Sequence, residues 1–255
     1  MRKKPAQSVL TREDLERYDR QIRYDGFGEE GQEKLKTSHV IVAGAGGLGC
    51  PASTYLACAG VGRITIIDDG IVDLSNLNRQ ILHWQEDIGQ KKVASATAKL
   101  ARLNPSVQIL PKATRITRRN ATRLIKGANV VIDAMDNFEA RAVLNQACVS
   151  EAIPFIHGGV WGLCGQVTTI IPGETPCLEC IYPEKPVDQG VFPVFGVTPG
   201  LIAMIQAVEA IKIIAGFGRL LAGRMLYINE ANMDFCLREL IKNPDCPVCG
   251  GMKGG

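Results

Sequence analysis

Apolar runs and amphipathic stretches alternate along the first two thirds of the chain. Five apolar runs predict buried strands, at residues 40–43, 63–67, 107–110, 129–133 and 154–157. Stretches with a helical spacing of apolar residues predict helices, at residues 29–36, 50–59, 87–103, 120–126 and 138–150. Thr11 and Asp14 have the spacing of a capping box for a further short helix. Strands that alternate with helices in this way form a parallel sheet with helices on both faces.

The pattern changes in the last third of the chain. Residues 166–171 alternate and predict an antiparallel strand, whereas residues 172–199 contain several prolines and predict a long loop or crossover. A helix and the two strands of a hairpin are predicted to follow, at residues 200–216, 224–229 and 233–240. Gln206, Glu209 and Lys212 interrupt the apolar sequence of that helix. Their presence favours a buried helix over a membrane span.

A glycine-rich turn, GAGGLG, directly follows the first predicted strand and contains Gly44, Gly46, Gly47 and Gly49. The next strand ends at Asp68, about twenty residues further along the chain. This order of elements is the fingerprint of a nucleotide site, because glycines let the backbone approach phosphate and a helix N-terminus offers free N–H groups to an anion. The fingerprint alone permits ATP or a dinucleotide, so an NAD-dependent dehydrogenase is one interpretation.

These patterns together predict the fold class and its division. We expect an α/β fold with a Rossmann-like, mixed and mainly parallel sheet flanked by helices, in a single domain of residues 1–255. Its expected parts are N-terminal helices, a nucleotide-binding core and a C-terminal lobe with the crossover, helix and hairpin, at residues 1–38, 39–171 and 172–255.

The composition narrows the possible partners. The net charge of +3 is too small to indicate a nucleic-acid or membrane partner. The N-terminal sequence MRKKPAQSVLTRED lacks the apolar segment of a signal peptide, so we expect a cytoplasmic protein. Nine cysteines then indicate thiols or metal ligands in a reducing compartment rather than a disulfide framework.

Two CxxC pairs predict a metal site. Cys177 and Cys180 form one pair, and Cys246 and Cys249 form the other. Four thiolates complete a tetrahedral shell that suits Zn²⁺ and leave no position for water. We therefore expect structural zinc that staples the crossover to the C-terminal part of the chain.

Several other residues have two interpretations. Asp136 follows the buried strand NVVID, where it is placed to bind a ligand or to cap the next helix. His157 has no acid or nucleophile beside it in sequence, which favours a structural role over a catalytic one. Trp161 and Phe192 are candidates to line a substrate groove or to pack within loops. Arg20, three residues after Arg17, fits a solvated helix face on spacing alone.

The motifs RYDRQ, GAGGLG, SNLNRQ, DIGQKK, DAMDN and GQV, together with the two CxxC pairs, resemble those of the ThiF/MoeB/HesA family, relatives of ubiquitin-activating enzymes. The resemblance covers residues 17–249. It implies a homodimer that uses ATP and Mg²⁺ to adenylate the C-terminal glycine of a small ubiquitin-like sulfur carrier protein with a diglycine end. The pathway would be of the thiamine or molybdopterin type.

The resemblance also assigns roles to individual residues. Asp68 would hold the ribose hydroxyls, and the amides of the glycine turn would line the nucleotide site. Asn76, Arg79 and Lys92 would contact the phosphates, and Asp136 would bind Mg²⁺. The preceding Lys91 does not align with the lysine of the family.

The N-terminal arginine motif takes a different role under this resemblance. Arg20 would reach across the dimer into the partner's site, which replaces the solvated-face interpretation.

Three features depart from the family pattern. Gly70 stands where a second acidic residue is usual, so a non-catalytic scaffold of the same fold is a further alternative. Residues 184–191 lack the crossover cysteine that forms a covalent intermediate in some relatives, so sulfur is expected from a separate donor protein. Cys164 replaces an acidic residue that is usual before GQV.

The end of the chain, KGG, resembles a carrier tail and is expected to be a frayed terminus.

Overall fold

A computed structural model describes residues 9–184, 190 and 192–251. Within them, eight strands form one sheet, and they are β1 (His39–Ala43), β2 (Arg63–Ile67), β3 (Gln108–Lys112), β4 (Val130–Asp133), β5 (Phe155–Trp161), β6 (Cys164–Ile170), β7 (Arg224–Asn229) and β8 (Asp234–Glu239). The strand order is β3-β2-β1-β4-β5-β6-β7-β8. Strands β1 to β5 are parallel, and β6, β7 and β8 continue the sheet antiparallel. The predicted mixed, mainly parallel sheet is confirmed.

Helices cover both faces of the sheet. In the described part of the chain they are α1 (Arg12–Arg17), α2 (Asp19–Ile22), α3 (Gly28–Thr37), α4 (Gly49–Ala59), α5 (Lys92–Leu103), α6 (Ala121–Ile125), α7 (Phe138–Ser150), α8 (Leu178–Ile181) and α9 (Val197–Ala215). One core contains buried residues of α3, α4, α5 and α9, among them Leu35, Leu56 and Ile202. The other contains residues of α6, α7 and α8 together with Cys177 and Cys249.

The helix α9 is long and apolar enough to span a bilayer by length and composition alone. Its side chains nevertheless belong to the protein core, where Ile202, Ala203 and Ala210 are fully buried against the sheet and its neighbours. Glu209 is also buried on this helix and accepts hydrogen bonds from Thr169 Oγ1 and Leu221 N. These hydrogen bonds offset the cost of burying the carboxylate inside the protein.

Local signals predicted several termini well. The capping box is present, since Thr11 Oγ1 accepts from Asp14 N at 3.1 Å and Asp14 Oδ2 accepts from Thr11 N at 2.7 Å. Asn104 ends α5, as expected from the following proline. The hairpin of β7 and β8 also lies where the alternation predicts it.

Two helices begin elsewhere than predicted. The sequence predicts α5 from residue 87, but a 3₁₀ turn (Gln85–Asp87) and the left-handed Gly89 delay its start to Lys92. The helix α9 begins at Val197 instead of residue 200. Pro199 lies in its first turn, where the missing N–H of a proline breaks no helical hydrogen bond, so the proline does not delay the start of the helix. The short helix α8 also lies within the segment predicted as loop.

Some predictions fall outside the described residues. They concern the N-terminal sequence before residue 9, most of the crossover without a thiol (residues 185–189 and 191) and the terminal KGG sequence.

Candidate active site

A cavity of 730 Å³ opens at the carboxyl ends of β1, β2 and β4 and continues across β5 to β8. Seven predicted site residues line it, namely Gly44, Gly46, Gly47, Asp68, Arg79, Lys92 and Asp136. Ligands bind at this edge of open α/β sheets, because the loops after the strands converge there. The structure therefore places most of the predicted nucleotide site in one cavity.

The glycines of the turn have two separate roles. Gly44 has φ +111°, and a Cβ atom there would lie 2.3 Å from the carbonyl oxygen of Ala134. A Cβ on Gly49 would lie 1.9 Å from the carbonyl oxygen of Gly44, so Gly49 is needed for packing although it does not line the cavity. Gly46 and Gly47 instead face the cavity, and a Cβ on Gly46 would meet its nearest neighbour, Gln80 Nε2, only at 3.8 Å.

Asp68 fixes the loop on either side of it. Its Oδ2 accepts a hydrogen bond from Ala45 N at 2.8 Å, and its Oδ1 accepts one from Gly70 N at 2.7 Å. A Cβ on Gly70 would lie 2.8 Å from Asp68 Oδ1 and 3.3 Å from Lys92 Cε. Gly70 therefore leaves room for the Lys92 side chain, which extends into the cavity, while Lys91 Nζ donates to the carbonyl oxygen of Asp69 at 3.0 Å.

The SNLNRQ motif forms a 3₁₀ turn (Leu74–Asn76) at the mouth of the cavity. Arg79 Nη1 donates to the carbonyl oxygen of Ser75 and to Asn78 Oδ1, each at 2.8 Å, which orients its guanidinium. Asn76 does not line the cavity among the described residues. Its Oδ1 accepts from Asp73 N at 3.1 Å and completes the capping box of the turn, while the phosphate contact of Asn76 stays a prediction.

Gln80 is a cavity residue that the sequence analysis missed. It is 4% exposed and lines the cavity, and its Oε1 has no hydrogen-bond partner in the described structure. The signal for it was its position directly after Arg79 in the same motif.

Asp136 lies in the turn after β4, exposed to the cavity. Its Oδ1 accepts from Asn137 Nδ2 at 3.2 Å. The alternative that Asp136 caps α7 is wrong, because Asn137 is the N-cap and its Oδ1 accepts from Ala140 N at 2.9 Å. Arg141 supports the same turn by donating from Nε to the carbonyl oxygen of Met135 at 3.2 Å. The Asp136 carboxylate is thus free to bind a cation.

His157 has an acidic partner that sequence alone did not reveal. Its Nδ1 donates to Asp133 Oδ2 at 2.7 Å, and both side chains are fully buried. Burial lowers the pKa of His157, which keeps the imidazole neutral, although the Asp133 hydrogen bond acts in the opposite direction. Arg141 Nε lies 3.8 Å from the same carboxylate oxygen. Because neither member of the pair lines the cavity, the arrangement fits a structural role that joins β4 to β5.

The cavity continues over the antiparallel part of the sheet. Trp161 and Phe192 both line it and stack with ring centroids 5.8 Å apart at 15°. Cys164 and Cys236 also line this part. Burial raises the pKa of Tyr182 to about 12, so its hydroxyl keeps its proton at neutral pH.

The four cysteines of the CxxC pairs come together between α8 and the C-terminal segment. Their Sγ atoms all lie within 4.8 Å of one another, with Cys177 and Cys246 3.7 Å apart and Cys180 and Cys249 3.4 Å apart. Tetrahedral Zn²⁺ with Zn–S bonds of about 2.3 Å requires S–S edges of about 3.8 Å. The cluster therefore fits zinc, and it connects the segment after β6 to the segment after β8.

Among the four predicted catalytic residues, Arg20 is the one that does not line the cavity formed by the described residues. It is on α2, its side chain is exposed, and it does not line the cavity formed by the described residues of its own chain. Within one chain, Arg20 does not meet Asp136 or Lys92.

Known proteins similar to this chain belong to the family that its sequence motifs resemble. The family model described as the ThiF family matches residues 18–248. The SAMP-activating enzyme E1 of Haloferax volcanii is 44% identical over 242 residues, which cover 92% of this chain and 89% of the relative. The sulfur carrier protein adenylyltransferase of Thermus thermophilus is 39% identical over 251 residues, covering 94% and 92%. A heterocyst HesA protein of Trichormus variabilis is 42% identical over 242 residues, covering 94% and 91%.

Solved structures agree with the fold. The crystal structure of Escherichia coli MccB with ATP superposes with a TM-score of 0.83 at 24% identity, covering 92% of this chain and 75% of the other. At this identity the likeness establishes the fold alone.

Proposed function

The chain belongs to the ThiF family, and from this membership we propose that it is an ATP-dependent adenylyltransferase that acts on a ubiquitin-like sulfur carrier protein. Its substrate would be the C-terminal glycine carboxylate of a carrier with a diglycine end, and pyrophosphate would be released. The observation that carries the proposal is one cavity that contains the glycine turn, Asp68, Arg79, Lys92 and Asp136.

The chemistry of the reaction explains why these types of residue suit it. A terminal carboxylate is ionised at pH 7, so the reaction needs no general base. The obstacle is that the anionic carboxylate has to approach the α-phosphorus of an anionic nucleotide. Cations lower this barrier because they stabilise the charge that develops during the reaction. Arg79 and Lys92 are the cations that line the cavity on the nucleotide side. Asp136 would hold Mg²⁺, which neutralises phosphate charge when bound.

The alternatives receive less support. A dehydrogenase would use the glycine turn and Asp68, but it does not require the two cations beside the turn, and named relatives are adenylyltransferases. A scaffold that lost its chemistry at Gly70 is disfavoured by the space that Gly70 leaves for Lys92.

The proposal has four further parts. They are a cytoplasmic location, structural zinc at the four cysteines, a homodimer and a separate sulfur donor protein. The pathway would be of the thiamine or molybdopterin type.

ATP–pyrophosphate exchange with Mg²⁺ and candidate diglycine-tailed carriers tests the proposal. We expect carrier-dependent exchange that Arg79→Ala and Asp136→Ala each reduce by about 100-fold or more. Arg102→Ala, an exposed arginine on α5 that does not line the cavity, is the matched control and should retain exchange. Absence of exchange with every carrier, despite ATP binding, would contradict the proposed substrate class. NADH binding in place of ATP binding would favour the dehydrogenase.

A further inference from the structure

The glycine turn between β1 and α4 is tied to its surroundings through the backbone of Ala45. Ala45 N donates to Asp68 Oδ2 at 2.8 Å, and the carbonyl oxygen of Ala45 accepts from His83 Nε2 at 2.9 Å. His83 is 3% exposed and does not line the cavity formed by the described residues. It therefore contacts the turn from the core side and not from the cavity.

This contact fixes the direction of the next N–H group of the turn. The carbonyl oxygen of Ala45 and the N–H of Gly46 belong to one trans peptide group, in which they point in opposite directions. Because the carbonyl oxygen points into the core, the N–H points towards the cavity, which Gly46 lines. Among the hydrogen bonds of the described residues, the N–H of Gly46 has no acceptor. An unpaired backbone N–H just before a helix suits an anionic ligand such as a phosphate.

A chain of buried hydrogen bonds holds the ring of His83. Its Nδ1 lies 2.9 Å from Ser95 Oγ, which accepts from Lys99 Nζ at 3.0 Å. A carbonyl oxygen can only accept, so Nε2 carries the proton that reaches Ala45. In the neutral ring Nδ1 then accepts from the Ser95 hydroxyl, whose other acceptor, the carbonyl oxygen of Leu82, is farther away at 3.2 Å. Donors and acceptors therefore match along the whole chain.

The charges around the ring keep it neutral. Burial lowers the pKa of His83, and the positive charges of Lys92 and Lys99 on α5 act in the same direction. The hydrogen bond to the turn and the charge of Asp87, which pairs with Lys99, act in the opposite direction. Cys50 Sγ lies 3.7 Å from Nε2, and burial raises the pKa of this thiol to about 12, so it keeps its proton and donates weakly to the same carbonyl oxygen at 3.2 Å.

We propose that His83 is a positioning residue for ATP binding, whose Nε2–H holds the carbonyl oxygen of Ala45 and thereby directs the N–H of Gly46 at a phosphate group. This role rests on the proposed function, because ATP is taken as the ligand of the glycine turn. His83 itself touches no ligand. It keeps the peptide group in the orientation that a phosphate needs before the phosphate arrives, so that binding does not have to reorganise the turn.

Two substitutions separate the roles of the two ring nitrogens. His83→Gln places an amide N–H close to the position of Nε2, so it keeps a donor for Ala45. His83→Asn is shorter by one carbon, so its amide reaches the position of Nδ1 beside Ser95 but not the carbonyl oxygen of the turn. His39→Asn is the matched control, because His39 begins β1, contacts Thr65 Oγ1 at 2.8 Å and does not line the cavity.

The test is calorimetric titration of the full chain with a nonhydrolysable ATP analogue and Mg²⁺, and separately with adenosine. We expect His83→Asn to bind the analogue about tenfold more weakly, while His83→Gln and His39→Asn bind it within about twofold of the wild type. Adenosine has no phosphate, so its affinity should be the same in all four proteins. Unchanged analogue affinity in His83→Asn, or an equal loss of affinity for the analogue and adenosine, would overturn the proposal.

The wild type provides a second test that does not depend on the folding of a variant. The chain contains three histidines, and ring nitrogen spectra, assigned by comparison with His83→Gln and His39→Asn, distinguish the two neutral tautomers from the doubly protonated ring. We expect His83 to be the neutral Nε2–H tautomer at pH 7. A proton on Nδ1 alone would leave the carbonyl oxygen of Ala45 without this donor and would overturn the proposal.

The exchange assay separates the failure of this role from the failure of the proposed function. Carrier-dependent exchange in which His83→Asn keeps the wild-type KM for ATP would retain the adenylation and reject the positioning role. Weaker binding of the analogue by His83→Asn, with no exchange for any carrier, would retain the positioning role and reject the adenylation.

Discussion

The carbonyl oxygen of Gly44 lies 1.9 Å from the position that a Cβ atom would take on Gly49. The two residues are the first and last glycines of the turn, and their backbones touch because α4 begins directly beneath the end of β1. Gly46, between them, faces open cavity instead. One motif therefore contains glycines needed for folding and a glycine available to a ligand. Substituting them one at a time can separate the effect on stability from the effect on ligand binding.

We expect Gly49→Ala to destabilise the fold by about 3 kcal/mol or more, because the new methyl group overlaps backbone that has no room to move. Gly46→Ala should leave the unfolding free energy within about 1 kcal/mol of the wild type and weaken ATP binding, since its methyl group points into the nucleotide site. Urea unfolding and ATP titration measure the two effects. Equal stability of the two variants would contradict the assignment.

The four-cysteine cluster should bind one zinc ion per chain. We expect Cys249→Ser to remove that ion and lower the unfolding free energy by at least about 3 kcal/mol, because metal binding contributes directly to folding. Elemental analysis and thermal unfolding provide the measurements. Cys58→Ser, at an exposed thiol of α4, should keep both the ion and the stability. Zinc that remains bound to Cys249→Ser would show that the ion lies elsewhere.

The position of Arg20 outside its own cavity predicts complementation between chains. Arg20→Ala and Asp136→Ala should each be inactive alone. When the two are unfolded, mixed in equal amounts and refolded, half the dimers should combine them and contain one complete site, which restores about a quarter of the wild-type exchange rate. If Arg20 acts within its own chain, the mixture stays inactive.

The buried Asp133–His157 pair predicts a loss of stability in acid. Because burial lowers the folded-state pKa of His157, the unfolded chain takes up a proton below the ordinary histidine pKa near 6.5 while the folded chain does not. The stabilising contribution is present above that pH and declines as the pH falls towards the lowered value, by at most about 1.4 kcal/mol per pH unit. His157→Gln should flatten this slope in urea unfolding between pH 7.5 and 5.5. An unchanged slope would assign the acid sensitivity to other groups.

Much of the sheet was predictable because its signals are local. The apolar runs, the glycine turn and the capping residues Thr11 and Asn104 each depend on a few neighbouring residues. The wrong predictions concern the ends of helices, where the same local sequence is compatible with two structures. Asp136 and Asn137 are both good capping residues, and the backbone conformation selects Asn137. Pro199 suggested a break before α9 but lies inside its first turn.

The site was predictable where the resemblance to a known family covers the residue. Arg79 and Lys92 were assigned to the nucleotide site through this resemblance, and both line the cavity. The contact of His157 with Asp133 depends instead on the register between β4 and β5. Tyr182 meets Gln166 because α8 folds back towards β6, and no sequence pattern in either segment indicates that contact.

The sheet changes from parallel to antiparallel at β5, and the cavity extends across this change. The parallel half carries the glycine turn and the cations, whose requirements are set by the unvarying chemistry of a triphosphate. The antiparallel half lines the same cavity with Gln166 and with the stacked rings of Trp161 and Phe192. Substitutions on β6 to β8 therefore need not disturb the glycine turn or the cations, and we expect the two parts of the cavity to tolerate substitution independently of each other.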